Sequence, residues 1–392
     1  MRICLISMEI FGWGKYGGFG RATRTIGREL VKHGIEVTAV VPRQPGQAAV
    51  EQLDGITVLS FKPRQFLSAI SLFRQADASI YHSEEPSLST YLAMRTMPGR
   101  THIVTFRDTR DARDWRTEFL LPSLSPLQVI SNWVYEDNFL VRHAVRRAGA
   151  CFASARFLIP KARRKYHLRH APEFLPTPVN IPDRVEKSSQ PTVCFLSRWD
   201  RRKRPELFFE LCKQFPQVHF LAAGMSRDKE WDGYLRATYG HLPNLEMVGF
   251  LDQFQNDQHT HLLGKSWILV NTAAREGLPN AFIEAAAHRC AILTAVDPDG
   301  FASQFGFHAG QDNFAEGLET LLQDGFWATQ AQKGFEYVRA TFDCESAIAQ
   351  HLAVYRQLST ERGITLPDEA SPVISPPAPE PERDEKDPYA VD

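Results

Sequence analysis

The sequence predicts an α/β protein made of two doubly wound parallel sheets facing each other across a cleft. Three observations carry that expectation. Short apolar or β-branched runs alternate with amphipathic helical stretches along most of the chain, the pattern of strand-helix-strand units. At 392 residues the chain is long for a single core and natural for two. A proline-rich break, Ala171-Pro172-Glu173-Phe174-Leu175-Pro176-Thr177-Pro178-Val179-Asn180-Ile181-Pro182, divides the alternation into two series.

The first series places strands at 3–7, 36–41, 56–60, 79–81, 102–106 and 150–153, separated by helices such as 19–32, which Gly34 ends. The second places them at 193–196, 219–222, 245–248, 267–270 and 291–295, each followed by a helical pattern. The expected organisation is a first domain over 1–171, a linker over 172–190 and a second domain over 191–342. A helix over 343–364 is expected to pack back toward the first domain. Residues 365–392 are Pro-rich and acidic, with too few apolar side chains to repay chain entropy, and are expected to be a disordered tail.

A net charge of -1 offers no basic excess for nucleic acid. Six cysteines, at 4, 151, 194, 212, 290 and 344, form no close pair, which fits reduced core thiols and a cytoplasmic protein. The opening apolar run is too short for a signal peptide and no stretch is long enough to span a bilayer, so any membrane contact is expected to be peripheral, at the inner face.

The most informative segment is Arg275-Glu276-Gly277-Leu278-Pro279-Asn280-Ala281-Phe282-Ile283-Glu284, with carboxylates before and inside a Pro-Asn helix start. Carboxylates accept paired hydrogen bonds from neighbouring hydroxyls, and helix-start amides favour anionic groups, so the segment suits a sugar or ribose ligand. Ala281, Phe282, Ile283, Ala285, Ala286 and Ala287 surround Glu284 and place it in a crowded interior, where a carboxylate needs a partner.

At the end of the strand 193–196 come Arg198-Trp199-Asp200-Arg201-Arg202-Lys203-Arg204-Pro205. Strand ends line the crevice of an open parallel sheet, and Arg198 with Lys203 can clamp a diphosphate there. After the first strand, Gly12-Trp13-Gly14-Lys15-Tyr16-Gly17 satisfies a G-x-G-x-x-G string. It starts too late after the strand, and the second strand ends Val41-Pro42-Arg43 with no carboxylate for a ribose, so a dinucleotide site is a distant reading. Gly17 and Gly18 are read instead as letting backbone amides approach a ligand phosphate. His82, Glu84, Arg107 and Asp108 lie at strand ends on the same side and either orient a polar substrate or form salt bridges. Asp297-Pro298-Asp299-Gly300 resembles a metal-binding pair in spacing but reads better as a turn. From Arg142 to Arg169 many cations occur without Asp or Glu, which fits either ordinary solvated helices or attraction to anionic lipid.

Taken together, Glu276 and Glu284 at Glu-x7-Glu spacing, Arg198 and Lys203 at Arg-x4-Lys spacing, and Gly17-Gly18 resemble the retaining GT-B glycosyltransferases of family 4. The resemblance covers nearly the whole chain before the tail. It implies two Rossmann-like domains and transfer of a sugar from a nucleotide diphosphate sugar to an acceptor hydroxyl of a glycan, a lipid-linked compound or a small molecule. It implies that Arg198 and Lys203 neutralise the diphosphate, Glu276 contacts the transferred sugar and Glu284 binds the ribose, with Gly17, Gly18, Gly277, Leu278, Pro279 and Asn280 completing the donor site. No metal or other cofactor is implied. The family's Thr-x-His is here Thr105-Phe106-Arg107, so Arg107, Asp108, His82 and Glu84 become the candidates on the catalytic and acceptor side. Ser197 and Arg204 also replace flanking glycines. The missing histidine keeps a second reading open, a non-catalytic nucleotide-sugar binding or scaffold protein of the same fold.

Overall fold

A computed structural model describes residues 1–13, 17–123 and 125–360. Gly14, Lys15 and Tyr16 of the glycine string, and the tail from 365 onward, lie outside the described residues. In the first half the strands are Arg2–Ile6 (β1), Glu36–Pro42 (β2), Val50–Leu53 (β3), Ile56–Phe61 (β4), Ile80–Ser83 (β5), Thr101–Phe106 (β6), Ala150–Ala153 (β7) and Glu173–Phe174 (β8). They form one sheet in the order β3-β4-β2-β1-β5-β6-β7-β8, parallel apart from the β3–β4 hairpin. The second half contributes Thr192–Leu196 (β9), His219–Ala223 (β10), Leu245–Gly249 (β11), Ile268–Asn271 (β12), Ala291–Thr294 (β13) and Gly306–His308 (β14). These make a parallel sheet in the order β11-β10-β9-β12-β13-β14.

The interior strands form where the sequence runs apolar because helices cover both faces of each sheet: β5, β6, β12 and β13 are buried along their whole length. Three strands fall outside the expected series, β3, β8 and β14. All three are edge strands. An edge strand pairs on one side only and is less constrained to be apolar, and β3 is the half-polar Val-Glu-Gln-Leu. The strand expected at 79–81 continues to Ser83, so His82 lies inside the sheet rather than past its end.

In each sheet the chain reverses its direction of winding at one point, between β1 and β5 and between β9 and β12. Crevices open at the carboxyl ends of strands at such points. The two crevices here share one cleft. The chain passes twice between the sheets, and the passages touch: Val179 N donates to Phe342 O at 2.9 Å. Helix Cys344–Thr360 then returns to the first sheet, where Ile348, Leu352 and Tyr355 join the apolar cluster of Ile3, Leu5 and Ile80.

All six cysteines are unpaired, and Cys4, Cys194, Cys212 and Cys290 are buried. Among the described residues no helix is long and apolar enough to cross a membrane.

Candidate active site

The cleft is built first from the end of β9. Its buried strand delivers Arg198, which Asp200, almost wholly buried, holds at 3.3 Å. A short turn, Arg201–Lys203, brings Lys203 back to the same cleft before Pro205 starts the next helix. Lys203 ion-pairs with Glu276, and Asn271 Nδ2 at the end of β12 donates to the same carboxylate at 3.4 Å. Burial pushes the Lys203 ammonium below its ordinary range. Burial also pushes the Glu276 carboxyl up, but Lys203 and Arg202 outweigh it and keep the group ionised. The structure therefore brings Lys203 of the strand-end cations and Glu276 of the carboxylate segment together as a direct pair.

Beyond Glu276, Gly277 is required by packing: a Cβ there would lie 2.5 Å from the Arg107 carbonyl oxygen of the first domain. Helix Asn280–Ala287 then starts at Pro279, and Leu278, Pro279, Asn280 and Ala281 line the cleft. The start of this helix and Lys203 line the same cleft, and helix starts favour anionic groups.

The glycine loop faces this helix start. Gly20 N donates to Glu9 Oε1 at 3.1 Å, and a Cβ on Gly17 would overlap that carboxylate. Asn280 Nδ2 donates across the cleft to the Gly18 carbonyl at 2.9 Å. Gly18 thus meets the start of helix Asn280–Ala287, while Gly17 packs against Glu9.

Glu284 takes a different position. It lines an adjoining cavity rather than the main cleft, and Arg21 and Asn280 form the wall shared by the two. Arg21 Nη1 donates to Glu284 Oε2 at 2.6 Å, and His259 Nε2 lies 3.2 Å from the same oxygen. Burial raises the carboxyl, but Arg21 and His259 bring it down to about 2. The expected partner of this buried carboxylate comes from the opposite domain.

On the first-domain side the candidates separate. Arg107 reaches the cleft, but its guanidinium is engaged: it bonds to Glu84 and donates through Nη1 to Thr177 Oγ1 at 2.7 Å. His82 and Glu84 do not line the cleft, which corrects their reading as acceptor contacts. His82 is fully buried, with Nδ1 2.7 Å from Tyr355 Oη and Nε2 2.7 Å from Thr105 Oγ1. The physical reason is the extra length of β5 and the returning C-terminal helix that covers it. Burial pushes the Glu84 carboxyl up, but Arg107, His82 and His351 together hold it below the ordinary range. Asp108 does line the cleft, paired with Arg275 and Arg110, and those cations overcome burial to keep it ionised.

Several cleft residues were not anticipated. Arg227, in the loop after β10, joins Arg198 and Lys203; the strand-end rule that singled out Arg198 applies equally to it. Glu136, Gln128 and Asn132 come from helix Pro126–Glu136, whose chemistry only the tertiary structure reveals. The Asp297 and Asp299 pair is used internally: Asp297 accepts from Ala302 N at 2.7 Å, and Asp299 from Arg156 N at 2.9 Å and Phe157 N at 2.6 Å.

Comparisons with known proteins agree with this geometry. Residues 178–332 match the family described as Glycosyl transferases group 1, and residues 2–131 match the family described as Starch synthase catalytic domain. The chain has the GT-B fold, and each of its two halves is similar to a glycosyltransferase family. Sucrose-phosphate synthase from Thermosynechococcus elongatus is 16% identical and superimposes with a TM-score of 0.71, over 92% of this chain and 100% of that one. Anabaena HepE, in complex with UDP and glucose, is 14% identical with a TM-score of 0.68, over 91% of this chain and 99% of that one. The catalytic domain of starch synthase IV from Arabidopsis thaliana, bound to ADP and acarbose, is 12% identical with a TM-score of 0.62, over 92% and 99%. No curated protein matches the sequence.

In this GT-B fold the two domains are joined across the cleft by a cluster of ions. Arg275, next to Glu276, pairs with Asp108, with Asp114 at 2.9 Å and with Glu118 at 3.1 Å, all of the first domain. Arg202 adds a contact of 3.2 Å to Glu118. Arg110 completes the cluster by donating to Glu136 at 2.6 Å.

Proposed function

We propose that this protein is a retaining glycosyltransferase of the family 4 type, moving a sugar from a nucleotide diphosphate sugar to an acceptor hydroxyl in glycan, glycolipid or glycoside synthesis. The observation that carries the reading is the Lys203–Glu276 pair beside Arg198, at the point where the second sheet reverses its winding and in one cleft with the start of helix Asn280–Ala287. The UDP and ADP in the complexes of HepE and starch synthase IV support a nucleotide-sugar donor.

In this reading Arg198 and Lys203, with Arg227 as a third cation, receive the diphosphate. Their charge matters most in the transition state, as negative charge accumulates on the departing nucleoside diphosphate. When the diphosphate engages Lys203, Glu276 is released to accept hydrogen bonds from the sugar. Glu284 is the ribose acceptor once Arg21 yields one of its oxygens. Gly17 and Gly18 bring backbone amides to the phosphates. Asp108 and Arg107 flank the acceptor side, and same-face attack by the acceptor hydroxyl gives retention. This cation set does the work a divalent metal does elsewhere, and the reaction is proposed to need none. The unpaired, buried thiols favour a cytoplasmic setting, with peripheral contact at the inner membrane face.

The test is a binding and turnover screen of purified protein against UDP-, GDP- and ADP-sugars, with the anomeric configuration of any product read by NMR. We expect one donor class to bind, Arg198→Ala and Lys203→Ala each to lower kcat/KM by about 100-fold or more, and Glu276→Gln to lower kcat. If no donor binds, or if Glu276→Gln leaves both binding and turnover unchanged, the proposal is wrong. An inverted product would remove the retaining assignment alone.

A second reading, a nucleotide-sugar binding protein without turnover, is favoured by one observation. Arg107, which follows Thr105 and Phe106 where the family has its histidine, is held by Glu84 and Thr177. Donor affinity without transfer or hydrolysis would establish it.

A further inference from the structure

The basic stretch 142–169 is the part of the chain whose composition suggests lipid attraction, yet its own apolar residues face inward. Leu158 is buried, and Phe157 and Ile159 pack with Val104, Phe106 and Tyr166. The exposed apolar surface lies earlier in the chain. Leu120, Leu127, Ile130, Trp133, Val134 and Phe139 are all exposed, Leu127 at 78% and Phe139 at 77%. They come from the end of helix Ala112–Leu120, from helix Pro126–Glu136 and from the start of helix Phe139–Arg146. Exposed apolar residues scattered singly need no explanation, whereas a concentration of this kind marks an interaction surface.

Charge on these helices is sorted by direction. Asp114 pairs with Arg275 and Lys161, Glu118 with Arg275 and Arg202, Glu136 with Arg110, and Asp137 with Arg142 and Lys165. The carboxylates are thereby neutralised toward the protein. Arg116 and Arg164 instead line one concavity with Phe119, Leu120 and Trp133, where Asp137 is already matched by Arg142 and Lys165. Asp111, which shares it, is 3.4 Å from Lys161. The outer face is therefore both apolar and cationic, the complement of an anionic lipid surface rather than of a neutral one.

Helix Pro126–Glu136 connects this face to the site. Gln128, Val129, Asn132 and Glu136 line the cleft, while Leu127, Ile130, Trp133 and Val134 are exposed on other sides of the same helix.

We propose that the outer face of helices Ala112–Leu120 and Pro126–Glu136 docks the protein on an anionic lipid bilayer and sets the cleft beside the lipid surface, where a bilayer-anchored acceptor is presented. The docking stands on the exposed surface alone. The role given to the acceptor rests on the transfer function proposed above.

The experiment is sedimentation of the full-length protein with vesicles of phosphatidylcholine alone and with vesicles that also contain phosphatidylglycerol, at low and physiological salt. We expect retention by the anionic vesicles only, weakening as salt rises. Arg116→Glu with Arg164→Glu is expected to lower partitioning on the order of 20-fold, since each arginine contributes about fivefold near such a surface. Leu127→Ser with Trp133→Ser is expected to abolish retention while leaving the melting temperature and donor binding at wild-type values. Lys333→Glu, on an exposed position of the second domain, is expected to change nothing.

Failure of anionic vesicles to retain the protein overturns the proposal. So does retention that survives Leu127→Ser with Trp133→Ser. A wild-type dimer in sedimentation velocity that those substitutions dissociate would also overturn it, by assigning the surface to a second copy of the chain. Vesicle retention without binding of any nucleotide sugar upholds the docking and defeats the transfer reading, so the two failures are separable.

Discussion

Glu284 and Glu85 are buried carboxyls displaced in opposite directions, and the difference lies in what touches them. Glu284 is brought from its ordinary 4.5 down to about 2, because Arg21 and the neighbouring His259 ring outweigh its burial. Glu85, at the end of β5, is raised from 4.5 to about 7 by burial, which its two backbone donors, Arg107 N at 2.6 Å and Asp108 N at 2.9 Å, only partly offset. A lowered pKa adds stability that is present above 4.5 and is lost as pH falls from about 4.5 to about 2. Arg21→Met is therefore expected to cost roughly 2 kcal/mol at neutral pH, with the gap from wild type closing in acid, as read by urea midpoints across that range. A raised pKa works the other way, and its cost appears as pH rises from about 4.5 through about 7. Glu85→Gln is expected to be more stable than wild type at pH 8, by up to about 3 kcal/mol, and no more stable at pH 4. Thermal melts at the two pH values check it. Glu284 was legible as a buried acid in need of a partner because its helix is so apolar. That the partner is Arg21 was not legible, since the two residues are 263 positions apart.

At the scale of elements, the interior strands were legible, and of the four edge strands only β11 was, expected at 245–248. A strand covered on both faces must be apolar along its length, which leaves a mark in the sequence; β3, β8 and β14, at the edges, carry little such mark. A two-residue error at the end of β5 had the largest consequence, because it placed His82 at the cleft when the sheet buries it. Gly277 shows the reverse situation, where a residue quoted for the donor side turns out to be fixed by the approach of the Arg107 carbonyl. Gly277→Ala is expected to destabilise the protein by roughly 1–3 kcal/mol, the usual cost of forced overpacking, and to raise the donor KM because the strand ends on the two sides of the cleft are forced apart. Differential scanning calorimetry and donor titration would measure both effects.

For the molecule as a whole, the spacing of the two domains depends on Arg275 and its three acidic partners, Asp108, Asp114 and Glu118. Arg275 is almost completely buried, so its loss leaves a group of carboxylates without their main cation. Arg275→Met is expected to open the cleft, seen as a larger radius of gyration in small-angle scattering, and to weaken donor binding even though Arg275 is not among the cleft-lining residues. If the radius of gyration stays unchanged, the cluster does not hold the domains together. By itself the sequence determined the two-sheet class and the presence of cations and carboxylates at the strand ends of the second sheet. Those features follow from local periodicity and charge at short spacing, both of which are written in neighbouring residues. Only the tertiary structure decided that Arg21 meets Glu284, that His82 is sealed beneath Tyr355, that Arg275 ties one domain to the other, and that one helix presents the cleft with one face and solvent with another. Those facts depend on pairs of residues far apart in sequence, whose meeting is settled by how the sheets pack.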